Sequence, residues 1–428
     1  MNEYKNITTD DLFEIYKRHP IISTDSRKIS ENSIFFALKG ELFDGNKYAE
    51  AALDSGAAYA VIDDVNVKKN DRYLLVDDVL SSLQLLATMY RGTLDIPVIA
   101  ITGSNGKTTT KELCREVLQK KFNTKATIGN LNNHIGVPLT ILSTPADTEM
   151  LIVEMGANHQ GEIDALCTIA KPDYVMITNI GKAHMEGFGG VAGIKRGKSE
   201  MYRYAAKESK SIFINQEDEV LISLLPENCT TIPYTPSQSI EVLSETPTLR
   251  LRYKDIITDT NIYGIYNLPN IGFAIACGHH FGVDDQDIMD AIGNYISDNN
   301  RSQTLQQGKN TYIKDAYNAN PTSMKVSIES FLKIDHPNKW MILGDMLELG
   351  AYAEQEHLQI IKQAHTLGAH RVIFVGPIFG LARKGHAGHF FSDIKDAKQF
   401  FDNCNIEEGM ILLKGSRGLA IERIIGEL

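Results

Sequence analysis

From Thr102 to Thr109 the chain reads Thr-Gly-Ser-Asn-Gly-Lys-Thr-Thr, and these residue types can hold phosphate groups. Glycines let the backbone approach an anion closely, and a helix N-terminus supplies free N–H groups. Lys107 adds a positive charge, and the Thr108 hydroxyl can hold a magnesium ion. Only Ser104 and Asn105 separate Gly103 from Gly106, a shorter spacer than the common phosphate loop uses. A glycine turn before a helix is by itself often just a connection. Here the flanks say more. Val98 to Ile101 is apolar and β-branched enough for a buried strand, and Leu113, Val117 and Leu118 repeat on one helical face after Lys107.

Two further residues fall where such a loop would want them. Met150 to Met155 reads as a strand that carries Glu154 near its end, and Tyr174 to Ile180 reads as another, followed by His184. Ligands of open α/β sheets collect at the carboxyl ends of strands. Gly103, Glu154 and His184 all lie at such ends. Glu154 is then placed to meet a magnesium ion, whereas His184 is a less usual partner for an ion that prefers oxygen. Taken singly, Glu154 reads as a helix cap and His184 as a loop histidine; three candidates at corresponding ends favour a shared site. Lys198 sits in Lys195-Arg196-Gly197-Lys198, a run whose usual meaning is a solvated basic face.

These residues need a scaffold of alternating strands and helices. Residues 1–92 read as a small α/β unit, with strands at Ile34–Leu38, Ala58–Ile62 and Tyr73–Val76 and helices at Lys47–Ser55 and Val79–Tyr90. Residues 93–300 carry the phosphate loop, strand-like alternation near Leu249–Tyr253 and Ile256–Ile262, and an apolar helix over Ile271–Phe281. Asn267 is a candidate N-cap for that helix, with Pro269 early in it. Residues 301–428 alternate again, with strands at Tyr312–Lys314, Trp340–Leu343, Val372–Val375 and Ile411–Lys414. Helices are expected near Ser323–Leu332, Glu354–Leu367, Asp393–Phe401 and Leu419–Ile425. This predicts a second doubly wound sheet, with Asp315 and Asp345 at the ends of its first two strands.

Composition narrows the partners. The 428 residues exceed one ordinary core, and a chain 43% hydrophobic and 23% charged is that of a soluble globular protein. No apolar run approaches a membrane span, and the first residues lack the apolar core of a signal peptide. The five cysteines (114, 167, 229, 277 and 404) have no paired spacing, which points to reduced thiols in a cytoplasmic protein and to neither disulfides nor a zinc site. A net charge of −11 argues against nucleic acid, and leaves any anionic substrate to local Lys, Arg, metal or helix ends. Nothing reads as an apolar dimer face, so a monomer is expected.

Several segments together resemble the Mur ligase family. They are Thr102–Thr109, Asn130-Leu-Asn-Asn-His-Ile-Gly-Val-Pro-Leu-Thr140, Glu154-Met-Gly-Ala-Asn158, Thr178-Asn-Ile-Gly-Lys-Ala-His184, Asp315-Ala-Tyr-Asn-Ala-Asn-Pro321, Gly344-Asp-Met-Leu-Glu-Leu349 and Lys414-Gly-Ser-Arg417. The likeness runs from Thr24-Asp-Ser-Arg27 to the C-terminus. It is strongest for the member that adds the terminal dipeptide in peptidoglycan precursor synthesis. The sister ligase that adds the third amino acid (diaminopimelate or lysine) carries Asp-Asn-Pro-Arg, which is absent here; it is the nearest alternative.

The resemblance implies an α/β fold of three domains: a small N-terminal UDP-sugar domain, a central ATP-binding domain with the phosphate loop, and a C-terminal Rossmann-like domain for the incoming dipeptide. It implies ATP-dependent ligation of D-alanyl-D-alanine to a UDP-N-acetylmuramoyl-tripeptide through an acyl phosphate, with ATP and two magnesium ions. Thr102, Gly103, Ser104, Asn105, Gly106, Lys107, Thr108 and Thr109 would hold the phosphates, with Asn267 and Asn270 on the adenine and Arg301 and Asp315 reaching the nucleotide. Thr108 and Glu154 would hold one ion, and His184 and a carbamylated Lys198 the second; Lys107, Glu154, His184 and Lys198 are the catalytic set. Ser26, Arg27, Asp44 and Gly45 would serve the UDP-sugar, and Asn132, Asn133, Asn318, Asn320 and Asp345 the peptide substrates. The chain has Tyr266 and Asn46 where the family often has histidine.

Overall fold

The computed structural model describes residues 6–297 and 301–426. Three wholly or mainly parallel sheets follow one another along the chain, with helices on their faces. The first has the strand order Ile22–Ser23, Ile34–Phe36, Tyr59–Ile62, Tyr73–Leu75. Ahead of it runs a helix, Thr9–Arg18, that the sequence reading overlooked. Its signals were present: the Thr8 hydroxyl accepts the Asp11 N–H as an N-cap, and Asp10 and Asp11 lie in the first turn.

The helix Val79–Thr93 fastens this first unit to the second. Leu83, Leu86 and Ala87 are buried where it packs on helices Gly136–Leu142 and Glu162–Ala170. Near its end the buried Arg91 guanidinium donates to the carbonyls of Ala170, Lys171 and Leu94 and pairs with Asp173 at 3.1 Å. A charge taken out of water is tolerable when it is paired and its donors are used.

The central sheet has the order Thr230–Tyr234, Ser211–Asn215, Tyr174–Ile177, Val98–Thr102, Met150–Glu154, Thr124–Ala126, all parallel. Val98–Thr102 lies inside it with every residue buried, as its β-branched run requires. The chain leaves this strand toward one edge and later returns to its other side. The crevice of a doubly wound sheet therefore opens at the end of this strand. A three-stranded antiparallel sheet, Ile240–Ser244, Arg250–Tyr253 and Ile256–Asp259, is appended to the unit.

The third sheet has the order Gln303–Gln307, Asn310–Asp315, Met410–Lys414, Lys339–Gly344, Val372–Val375, His389–Phe391, and only its first strand is antiparallel. The helix expected over Leu419–Ile425 forms instead as two 3-10 turns, Arg417–Leu419 and Ile421–Ile425. Ala420 between them has φ +50°, a left-handed conformation that a continuous helix cannot contain. The apolar helix of the central unit spans Leu268–His280, and Asn267 makes no side-chain cap to it. All five cysteines are unpaired. Among the described residues no helix is long and apolar enough to cross a membrane.

Candidate active site

The phosphate loop is held open by close backbone packing. Gly103 has φ +143°, and a Cβ there would fall 1.9 Å from the Thr178 hydroxyl; Gly106 has φ +79° and would meet the Asn270 side chain at 2.6 Å. Both positions demand glycine for conformation and for space. Neighbouring strand ends brace the loop. Ser104 N–H donates to the Asn179 carbonyl at 3.0 Å, Asn105 N–H to Asn179 Oδ1 at 3.1 Å, and Thr178 Oγ1 to the Asn105 carbonyl at 2.5 Å. The helix Lys107–Leu118 then starts with its first N–H groups facing the crevice.

Lys107 folds back over the loop, and its ammonium donates to the Gly103 carbonyl at 2.8 Å. Loss of water lowers its pKa to about 8; Glu154 opposes that shift, and the positive Arg301 adds to it. An anionic phosphate in this crevice would restore the charge.

Beside the loop, Thr108 Oγ1 donates to Glu154 Oε2 at 2.8 Å, and Asn132 Nδ2 donates to Glu154 Oε1 at 2.7 Å. Glu154 is buried at the end of its strand, with its own N–H on Thr127 Oγ1. Two adjoining oxygens, one anionic, are the donor chemistry a hard divalent cation prefers, and magnesium commonly completes its shell with phosphate and water. Thr108 and Glu154 therefore fit such an ion. Among the described residues no three His, Cys, Asp or Glu side chains converge as a metal cage.

His184 adopts a left-handed conformation, φ +54°, and its Nδ1 lies 2.5 Å from Glu348 Oε2 of the third unit. This contact holds the Glu348 carboxyl below its ordinary pKa. Lys198 corrects the expectation of a solvated basic face. It is 1% exposed, lies over the Phe188 ring at 5.4 Å and donates to the Ala157 carbonyl at 3.4 Å. Burial pushes its pKa well down, with Lys107 adding to the effect. The helix Val191–Lys198 turns this residue inward while Arg196 stays toward solvent and meets Gln160.

The third unit closes over the loop. Asn320 Nδ2 donates to Asn105 Oδ1 at 2.7 Å, Thr322 Oγ1 accepts the Lys182 N–H at 3.0 Å, and Lys182 pairs with Glu356 at 2.5 Å. The cleft so formed is about 600 Å³ in volume. The central unit lines it with Ser104, Asn105, Gly106, Lys107, Thr109, Asn132, Asn133, Glu154, His184, Asn267 and Asn270. Arg301, Asp315, Asn318 and Asn320 face them. Asn267 and Asn270 form one chain of hydrogen bonds: Asn270 Nδ2 donates to Asn267 Oδ1, Asn267 Nδ2 to the Tyr263 carbonyl, and Thr110 Oγ1 to Asn270 Oδ1. Asp315 pairs with the buried Lys414 at 2.5 Å. The Nε of Arg301 is buried and has no hydrogen-bond partner among the described residues.

Other expected residues lie elsewhere. Thr102 is fully buried and donates to the Met155 carbonyl, so it knits two strands and does not line the cleft. Asp345 is also outside the lining: both its carboxylate oxygens accept N–H groups, from Ile378 at 2.8 Å and Phe379 at 2.9 Å, and cap the helix Pro377–Ala382. Its strand-end position suggested a site, but its charge stabilises a helix start. Ser26, Arg27, Asp44 and Gly45 belong to the first unit and are not among the cleft residues; Arg27 grips Asp25 with both Nε and a terminal nitrogen. The sequence reading passed over Asn179, Tyr317 and Glu348. Asn179 was visible in the Thr178-Asn-Ile-Gly segment, whereas Glu348 is reached only through a φ of +63°.

Comparison with known proteins fits this geometry. Residues 20–90 match the model for the Mur ligase family, catalytic domain, residues 101–278 the Mur ligase middle domain, and residues 300–417 the Mur ligase, glutamate ligase domain. The UDP-N-acetylmuramoyl-tripeptide–D-alanyl-D-alanine ligase of Bacillus subtilis is 34% identical over 95% of this chain and 92% of its own. The Escherichia coli ligase of the same name is 29% identical over 95% and 93%. A crystal structure of MurF from Acinetobacter baumannii superposes with a TM-score of 0.85 at 30% identity, covering 94% of this chain and 92% of that one. MurF from Thermotoga maritima in complex with ADP gives 0.81 at 25% identity over 95% and 96%.

Proposed function

The chain belongs to the Mur ligase family, and from that premise we propose that it joins D-alanyl-D-alanine to UDP-N-acetylmuramoyl-tripeptide with ATP. The observation that carries this reading is the polar cleft in which the phosphate loop of the central unit faces the strand ends of the third. Relatives that carry the ligase name align along almost the whole chain.

The reaction needs alignment and charge neutralisation more than a nucleophilic side chain. A carboxylate oxygen of the tripeptide attacks the γ-phosphorus of ATP, and ADP leaves. The amine of the dipeptide then attacks the carbonyl carbon of the acyl phosphate. The tetrahedral adduct collapses to the amide as phosphate departs and the nitrogen gives up a proton. Lys107 and the N–H groups of Ser104 to Thr109 bind the phosphates and offset charge gathering on the transferred group. Magnesium, when bound, supplies positive charge at the phosphate oxygens. Thr108 and Glu154 are the residues that would hold it.

For a second ion the reading relies on His184 and Lys198. As an amine Lys198 offers no oxygen, but burial lowers its pKa and so favours the neutral amine, the form that adds carbon dioxide with formation of an N–C bond and release of a proton. The resulting carbamate is anionic. Asn267 and Asn270 would take the adenine, Arg301 and Asp315 the nucleotide, and Asn132, Asn133, Asn318 and Asn320 the peptides. Residues 1–92, with Ser26, Arg27, Asp44 and Gly45, would take the UDP-sugar. One chain supplies every group, so the reading needs no second copy.

The test is phosphate release from ATP and magnesium, with the UDP-muramoyl-tripeptide and the dipeptide supplied singly and together. Release only with both, yielding the UDP-muramoyl-pentapeptide, is the expected result. Release with neither, or with a single amino acid replacing the dipeptide, overturns the reading.

A further inference from the structure

Four lysine and arginine side chains border the cleft: Lys107, Arg301, Lys414 and Arg417. Three have evident employment. Lys107 lies on the phosphate loop, and Arg301 is close enough for its charge to act on Lys107. Lys414 is neutralised by Asp315 at 2.5 Å. Arg417 differs. It is exposed, it starts the turn after the strand Met410–Lys414, and none of the ion pairs among the described residues includes it.

Its position is nonetheless built. The Arg417 guanidinium lies over the Tyr317 ring at 5.1 Å, and Arg301 lies against the same ring at 3.7 Å. An aromatic face steadies a guanidinium without using its N–H donors. The loop is pinned as well: Ser416 N–H donates to the Asp345 carbonyl at 3.2 Å, and Ser416 Oγ accepts the Leu347 N–H at 3.0 Å. Leu347 lies beside Gly418, the residue after Arg417, and gives this end of the cleft an apolar side chain.

An incoming dipeptide has one amine, which must face the acyl phosphate, and one carboxylate, which must be held at the far end. The phosphate end already has Lys107 and Arg301. We propose that Arg417, steadied by Tyr317, binds the terminal carboxylate of the incoming D-alanyl-D-alanine and so selects an acceptor with a free carboxyl end. This rests on the ligase reading above. It assigns a specificity residue within it, with Leu347 beside the terminal methyl group.

The experiment compares D-alanyl-D-alanine with D-alanyl-D-alaninamide as acceptors, for the full chain with ATP, magnesium and tripeptide substrate. A charge-assisted, two-point contact predicts that the unaltered enzyme prefers the acid by about 10- to 100-fold in kcat/KM. In Arg417→Ala that preference should collapse to within about threefold, with KM for ATP and tripeptide unchanged. Arg417→Lys keeps the charge without the fork and should fall between. An Arg417→Ala enzyme that still prefers the acid, or one whose KM for ATP rises in place of that for the dipeptide, overturns the assignment. Failure of the unaltered enzyme to use either acceptor would instead remove the ligase reading.

Discussion

The Asn320 side-chain amide donates a hydrogen bond of 2.7 Å to Asn105 Oδ1, tying the start of a third-unit helix to the middle of the phosphate loop. The same Asn320 caps its own helix, Pro321–Leu332, by accepting the Ser323 N–H at 3.0 Å in a reciprocal capping box. One side chain thus orders a helix end and reports the state of the loop on the neighbouring unit.

These two roles separate by substitution. Asn320→Ala should lose the cap, about 1 kcal/mol, and lower the melting temperature by roughly 2–4 °C. Asn320→Ser keeps a capping oxygen but is too short to reach Asn105. It should melt close to the unaltered protein while turnover falls. Equal thermal shifts in the two variants would show that the bridge to Asn105 carries no separate role.

Gly103→Ala should abolish ATP binding. Its Cβ would sit 1.9 Å from Thr178 Oγ1, in a backbone conformation that alanine disfavours, so the loop must move. Calorimetric titration with ATP and magnesium tests this, and near-normal affinity would show that the loop can rearrange.

Lys107 gives a pH signature. Its pKa in the ligand-free protein is about 8, below the ordinary lysine value, so it loses its proton as pH rises through 8. The polyphosphate favours the charged form and raises the pKa again. ATP binding should therefore take up a proton near pH 8.5, and affinity should weaken above pH 8 by up to about tenfold per unit. Titrations in buffers of different ionisation enthalpy measure the uptake. Lys107→Ala should abolish both proton uptake and phosphate release while its circular dichroism is kept.

Glu154→Gln keeps the shape and the hydrogen-bonding reach of the side chain but removes the anionic oxygen beside Thr108. Turnover should fall by about 100-fold or more, and the magnesium concentration for half-maximal rate should rise. The fold should persist, because the Asn132 and Thr108 contacts can be re-formed by an amide. An unchanged magnesium requirement would remove Glu154 from the metal site.

At the cleft the central and third units meet through polar contacts that include Lys182 with Glu356 and His184 with Glu348. Partly exposed pairs of this kind contribute only about 0–1 kcal/mol each, so they can open and close. Small-angle scattering should show a smaller radius of gyration with a nonhydrolysable ATP analogue plus tripeptide substrate than without them. Lys182→Met should weaken that compaction. No change in radius on adding both ligands would remove the idea of closure.

Some of this protein was fixed by local chemistry and is legible without coordinates. The strand Val98–Thr102, the loop glycines and the helix from Lys107 follow from steric and hydrophobic patterns that span only neighbouring residues. Glu154 could be paired with Thr108 because one ends a strand and the other opens the helix that follows the adjacent strand, a rule of topology that needs only strand order. The first-unit helix Thr9–Arg18 was equally legible, in its cap and its acidic first turn.

Tertiary structure decided the rest, because burial and partner choice depend on residues remote in sequence. Lys198 and its neighbours look alike as a basic run, yet only packing against Phe188 and Ala157 takes the Lys198 ammonium out of water. Asp315 and Asp345 occupy equivalent strand ends, yet one meets Lys414 in the cleft and the other is consumed by a helix start. The meeting of Asn105 with Asn320, and of His184 with Glu348, exists only because two sheets close upon one another. Sequence supplied the chemical groups; the approach of two independently built domains determined which of them share a site.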